Sequence, residues 1–271
     1  MNIVYAGNKN VFDGLLISVL SIIEHNKEAL SVYVLTMDLT ELDEKYVSIS
    51  HEELHIIEKE MQRVNPASRI IRVDVREVFD RKMGSSKNLV NRYTPYALLR
   101  LLLDELPMIP DKVLYLDTDT VANKNIRELY DMDIDRYELA GSQDRYARFF
   151  FVNPRYVNTG VLLLNMKRIR ATKMFDKVVA LLNKKKVFLS DQTGINKMTK
   201  RKKIISRKYN EQKKVKKETV IRHFSMQFRV FPKFKFVNIK PWNIDALHQV
   251  YQCHDFDHIL KKYQFIKNIK E

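Results

Sequence analysis

Short apolar runs alternate with longer segments of helical periodicity along most of the chain. Ile3-Val4-Tyr5-Ala6 is stopped by Gly7-Asn8, and Val11 to His25 then carries apolar side chains at helical spacing, which predicts a strand, a turn and a helix. Val32-Tyr33-Val34-Leu35 repeats the strand signal, and Leu42 to Val64 reads as one long amphipathic helix. Ile70-Ile71-Arg72-Val73 is a third strand. The polar stretch from Lys82 to Asn91 predicts a loop, and Tyr96 to Leu106 an apolar helix closed by Pro107. Val113-Leu114-Tyr115-Leu116 and Val161-Leu162-Leu163-Leu164 are apolar on both faces, as strands in the middle of a sheet covered on both sides must be. The last third is basic, aromatic and weakly periodic until a final helix from about Asp255 to Ile266.

Strands alternating with helices predict an α/β fold, a single Rossmann-like domain with a mostly parallel central sheet flanked by helices. Ligands of such sheets sit beyond the carboxyl ends of the strands. The chain has 271 residues with neither an internal repeat nor a Pro/Gly/Ser linker, so one domain with a basic C-terminal elaboration is expected. An apolar fraction of 45% suffices for a buried core and argues against wholesale disorder. The single cysteine, Cys253, excludes an intrachain disulfide and any multi-cysteine zinc site. No apolar run reaches the roughly 18 to 20 residues that span a bilayer. Met1 to Tyr5 lacks the basic and apolar regions of a signal peptide, so a soluble cytoplasmic protein is expected.

The formal charge of +15 is concentrated. Lys197 to Lys240 holds 16 Lys and Arg against 2 acids, whereas the rest of the chain nearly balances, with 32 bases and 31 acids. Such a field attracts polyanions, whether nucleic acid, anionic lipid or phosphate, and equally fits a solvated Lys-rich face. Neither an RNP-type aromatic motif nor a helix-turn-helix signature accompanies it, so no nucleic-acid partner is expected.

The sharpest chemical signal is Asp117-Thr118-Asp119, directly after the Val113 to Leu116 run. Residues two apart on an extended segment point the same way, roughly 6.5 Å apart. Two carboxylates converging at a strand's end repel each other unless a cation lies with them, and a hard divalent ion such as Mg²⁺ or Mn²⁺ suits oxygen ligands. Alternatively, one Asp caps a turn. Haloacid dehalogenase-type phosphatases also place Asp-x-Asp after four apolar residues, with Asp117 then the nucleophile and Asp119 the acid/base. That pattern normally opens its domain, and here three β/α units precede it without a later Asp-Asp pair.

Four motifs in order favour another class. Arg100-Leu101-Leu102-Leu103 followed by Asp111 to Val121, Val157-Asn158-Thr159-Gly160-Val161-Leu162-Leu163-Leu164-Asn165, Ser190-Asp191-Gln192, and Arg222-His223-Phe224 with Lys240-Pro241-Trp242 together resemble glycosyltransferase family 8, over about residues 1 to 243. The resemblance implies a GT-A-type domain over 1–243, with a helical extension over 244–271. It further implies a metal-dependent, retaining hexosyltransferase that uses a UDP-sugar, UDP-glucose or UDP-galactose, and a glycan, glycolipid or glycoprotein acceptor.

Position by position, Ala6, Asn8 and Asn10 are expected to touch uracil or ribose, with Phe12 nearby where the family stacks an aromatic on the base. Arg100 is expected at the donor sugar or phosphates, with Thr118 beside the nucleotide. Asp144, Asn158 and Asp191 are expected to read sugar hydroxyls, and Gln192 to lie beside the anomeric carbon. Asp117, Asp119 and His223 are the expected metal ligands, a set that suits Mn²⁺ somewhat better than Mg²⁺ because imidazole prefers the softer ion. Lys240 is expected to meet the β-phosphate as the sugar bond breaks. The chain departs from the family by inserting Phe224 to Ile239 between the His and Lys-Pro-Trp. Tyr146, Phe149, Phe150, Phe151 and Tyr156 form either an acceptor platform or packing around Pro154. The 197–240 segment offers a peripheral contact with an anionic membrane.

Overall fold

The computed structural model describes residues 1–84, 86, 88–89, 94–146, 153–229 and 235–270. A seven-stranded sheet runs through the molecule in the order β3-β2-β1-β4-β7-β6-β8. Its strands are β1 (Asn2–Ala6), β2 (Ser31–Thr36), β3 (Arg69–Asp74), β4 (Lys112–Leu116), β6 (Leu139–Gln143), β7 (Val157–Asn165) and β8 (Lys202–Ile205). All are mutually parallel except β7, which opposes both β4 and β6. The runs read as buried central strands are β4 and β7, yet they pair antiparallel. β7 thus lies reversed between β4 and β6.

The continuous apolar runs are explained by two cores, one on each face. Ile3, Tyr5, Leu114 and Leu116 belong to one, and Val4, Val113 and Tyr115 to the other. At about 1.5 to 3 kcal/mol per fully buried large aliphatic side chain, β4 anchors the sheet from both sides. The first core is covered by α1 (Phe12–His25) and α2 (His51–Val64). The second contains α3 (Arg76–Met83) residues and an eleven-residue 3₁₀ helix, Pro95–Glu105.

Three boundaries differ from expectation. The helix read from Leu42 starts only at His51, because Ser50 and Glu53 close a capping box there. The Tyr96 to Leu106 run is a 3₁₀ helix rather than an α-helix, buried along most of its length from Pro95 to Leu103. The predicted loop from Lys82 begins a little later, after Met83 ends α3.

Beyond β4, a two-stranded antiparallel ribbon pairs β5 (Thr120–Ala122) with β9 (Ile221–His223), Thr120 opposite His223. Short α4 (Arg127–Tyr130) precedes β6, and α5 (Met166–Thr172), α6 (Met174–Lys184) and α7 (Ser190–Met198) follow β7. A hairpin, β10 (Gln227–Arg229) with β11 (Lys235–Val237), lies within the inserted segment. The chain closes with α8 (Ile244–Tyr251) and α9 (Asp257–Lys270). Leu247, Phe256, Ile259, Leu260 and Tyr263 join the first core, and α9 packs beside α1. Among the described residues no helix is long and apolar enough to cross a membrane.

Candidate active site

Asp117 leaves β4 with its N–H donating to Gly160 O on β7 at 2.8 Å, and Thr120 N–H and Oγ1 both return to Asp117 O. This tight turn directs both carboxylates to the carboxyl end of the sheet. The β5–β9 ribbon brings His223 across a sequence separation of about a hundred residues, and Phe224 N–H donating to Asp119 O at 2.9 Å extends the ladder. His223 Nε2 lies 3.1 Å from Asp119 Oδ1 and 3.7 Å from Asp117 Oδ2.

Gly160 makes that approach possible. A Cβ at this position would fall 2.1 to 2.7 Å from the His223 ring atoms. Gly14 on α1 does the same for Trp242, whose indole would meet a Cβ at 2.4 Å. With Trp242 seated there, the neighbouring Lys240 reaches Asp119 Oδ2 at 2.5 Å and Phe224 O at 3.2 Å. The insertion therefore leaves Lys240 at the carboxylate pair.

Burial opposes ionisation of Asp119, yet the Lys240 ammonium beside it holds its carboxyl far below the usual range. Among the described residues its buried Oδ1 nevertheless has no hydrogen-bond donor. The hydrogen-bond network explains why His223 does not donate. Gly160 N–H donates to Asn158 Oδ1 at 3.0 Å, which fixes that atom as an acceptor. Asn210 must then present its Nδ2 to Asn158 Oδ1, at 3.0 Å, and its Oδ1 to His223 Nδ1, at 3.0 Å. A neutral imidazole so placed carries its proton on Nδ1 and turns the Nε2 lone pair toward Asp117 and Asp119. Two carboxylate oxygens and one imidazole lone pair, mutually within 4.8 Å, fit a divalent cation.

Arg100 is buried beneath this cluster. It donates to Asp117 Oδ1 at 2.8 Å and Thr159 O at 2.6 Å, pairs with Asp191 Oδ2 at 3.3 Å, and stacks over Tyr115 at 4.3 Å. Its guanidinium is thus engaged by protein groups and braces two carboxylates. Tyr115 OH donates to Asp117 Oδ1 at 3.1 Å. Burial raises the Asp191 carboxyl while Arg100 opposes that rise.

The remaining candidates converge at the first turn of α7. Gln192 Oε1 accepts from Asn158 Nδ2 and Thr159 N–H, both at 3.2 Å, and its Nε2 donates to Asp144 Oδ2 at 3.4 Å. Asn158 Nδ2 also donates to Asp144 Oδ2, at 2.9 Å. On the other flank, Ala6 ends β1 and the turn after it holds buried Asn8 and exposed Asn10, with both Asn side chains donating to Lys45 O. Thr118 lies against Gly7 in that turn. Phe12 is buried in the core, whereas Tyr46 packs edge-on against Tyr96 beside the Asn8 turn.

Of the aromatic run, Phe149, Phe150 and Phe151 lie outside the described residues, and Tyr156 is buried with its OH against Thr193 Oγ1. Several cations of the 197–240 segment are used internally. Lys202 bonds Asn196, Lys208 pairs with Glu128, and Arg222 is buried. Lys213, Lys214, Lys216 and Lys217 remain exposed. Sequence reasoning missed Tyr115 and Asn210. The one hint for Asn210 is that Asn210-Glu211-Gln212 interrupts a run of cations.

Residues 2–246 match the profile of glycosyl transferase family 8. The chain belongs to that family. It is 27% identical over 196 residues to the glycosyltransferase GlyA of Streptococcus pneumoniae, covering 72% of this chain and 25% of the relative. GlyF of the same organism is 25% identical over 198 residues, 72% of this chain and 44% of the relative. The chain thus spans less than half the length of these curated relatives. Among solved structures, the galactosyltransferase LgtC in complex with donor and acceptor sugar analogues superposes with a TM-score of 0.67 at 19% identity, over 97% of this chain and 96% of that one. The bifunctional glycosyltransferase WbbM superposes at 0.71 and 17% identity, over 98% and 51%. These likenesses place the fold in the GT-A class. Family membership sets aside the phosphatase reading of Asp117.

Proposed function

We propose that this chain is a metal-dependent, retaining hexosyltransferase that moves glucose or galactose from a UDP-sugar to a hydroxyl of a glycan, glycolipid or glycoprotein. The observation that carries the reading is the convergence of Asp117, Asp119 and a tautomer-fixed His223 at the carboxyl end of β4, flanked by the Asn8 to Asn10 turn on one side and the Asn158 and Gln192 amides on the other. Asp117, Asp119 and His223 would hold Mn²⁺ or Mg²⁺, which supplies charge neutralisation for the departing diphosphate.

Each flank has a task in this scheme. Ala6, Asn8, Asn10 and Thr118 receive the nucleoside, and Asp144, Asn158 and Asp191 orient the hexose. Lys240, now on Asp119, moves to the β-phosphate and takes up the charge that develops as the sugar bond breaks. Arg100 holds Asp117 and Asp191 in register from below. The group beside the anomeric carbon is the Gln192 amide, a poor covalent nucleophile. Retention therefore proceeds by attack of the acceptor hydroxyl on the leaving-group face, with the proton passing to the departing phosphate oxygen. The exposed Lys213 to Lys217 cluster suits an acceptor presented at an anionic cytoplasmic membrane face.

Incubation with UDP-glucose, UDP-galactose and their N-acetyl forms tests this reading. Slow Mn²⁺-dependent release of UDP from one of the hexose donors is expected. Cleavage of an aryl phosphate with indifference to every UDP-sugar would refute it.

A further inference from the structure

A second group of metal-binding side chains lies at the corner between α8 and α9, outside the site just described. His248 is in the last turn of α8, Gln252 reverses the chain in a left-handed conformation (φ 50°), and His254 folds back before Asp257 opens α9. The two imidazoles stack with centroids 4.3 Å apart and planes 26° from parallel. Both face one carboxylate, His248 Nε2 at 2.8 Å from Asp257 Oδ1 and His254 Nδ1 at 3.2 Å from Oδ2. One ligand atom from each residue lies within 4.8 Å of the other two.

We propose that this corner is a Zn²⁺ site that staples the C-terminal helices. Two imidazole nitrogens and one carboxylate oxygen are a borderline donor set, which prefers Zn²⁺ to Mg²⁺ or Mn²⁺. Tetrahedral zinc at ordinary bond lengths sets its ligand atoms about 3.3 Å apart, near the 2.8 and 3.2 Å that separate the two rings from the carboxylate. The fourth position is left to water. Neutral rings change tautomer on binding, His248 moving its proton to Nδ1 and His254 to Nε2, so no net proton release is required. The three ligands fall within ten residues, so little chain entropy is lost in gathering them. Cys253 stays out of the set, its thiol directed to Asp255 at 3.5 Å.

The position gives the ion a consequence. Tyr251 and Phe256, on either side of this corner, pack on Phe224 at 6.5 and 6.1 Å between centroids. Phe224 directly follows His223 and bonds Asp119 through its backbone. A bound Zn²⁺ therefore steadies the wall that carries His223.

The test uses the full chain stripped with a chelator and titrated with Zn²⁺ against a chromophoric competitor, in an Asp119→Asn background that weakens the other site. One equivalent bound and a rise of a few degrees in Tm are expected. Adding His254→Ala, at a side chain 62% exposed, should weaken Zn²⁺ binding at least tenfold and abolish the rise, with Tm in chelator little changed. His254→Cys should restore binding. Absence of uptake in Asp119→Asn, or uptake indifferent to His254→Ala, overturns the proposal, and either outcome leaves the reading of the Asp117, Asp119 and His223 site standing.

Discussion

Asn210 Oδ1 sits 3.0 Å from His223 Nδ1, and through that contact a backbone amide on β7 determines which imidazole nitrogen offers its lone pair to Asp117 and Asp119. Removing such an outer partner of a ligating histidine typically costs 10- to 100-fold in metal affinity. Asn210→Ala is expected to weaken Mn²⁺ binding in that range, read by calorimetry in the presence of UDP. In ¹⁵N spectra of the metal-free protein, the His223 proton should shift from Nδ1 toward Nε2.

Gly160→Ala should be more damaging than its size suggests. The added methyl would occupy the space of the His223 ring, which can retreat only by leaving the cluster. Loss of Mn²⁺-dependent donor turnover by at least 10²-fold is expected, with stability lowered by about 1 to 3 kcal/mol. Turnover assays and chemical denaturation read the two effects separately.

Lys240→Met removes the cation that Asp119 meets in the donor-free protein and, in the proposed reaction, the group that receives the β-phosphate. A drop in kcat of about 10² to 10³ with a smaller change in KM is expected, because the interaction strengthens as charge develops. A rise in KM alone would assign Lys240 to ground-state binding.

Asp104 gives a pH signature remote from the site. Burial pushes its carboxyl up to about 6, against the opposing pull of Lys82 at 3.5 Å. Between pH 4 and 6 the folded protein then holds a proton that the unfolded chain has lost, so stability falls as pH rises through that window, by about 2 kcal/mol. Asp104→Asn should flatten this slope in denaturation measured from pH 4 to 6.5.

Much of this was legible in the chain because β strands buried on both faces leave unbroken apolar runs, and Asp117-Thr118-Asp119 follows such a run directly. His223 and Lys240 were legible only through ordered motifs, since pairing of Thr120 with His223 joins segments about a hundred residues apart. The reversal of β7 was not legible, because Val161 to Leu164 has the same pattern in either direction. Nor was the bracing role of Arg100, which depends on Tyr115 and Asp191 meeting it from separate elements. Asn210 stayed hidden because its importance lies in hydrogen-bond polarity, which sequence spacing does not encode.

The central claim is that Asp117, Asp119 and His223 gather a divalent cation against a nucleoside diphosphate. Calorimetric titration of UDP into the wild type and Asp119→Asn, each with and without Mn²⁺, tests it most directly. Wild-type affinity should rise at least tenfold with Mn²⁺ and the gain should vanish in Asp119→Asn. Equal UDP affinity in all four titrations would contradict the account.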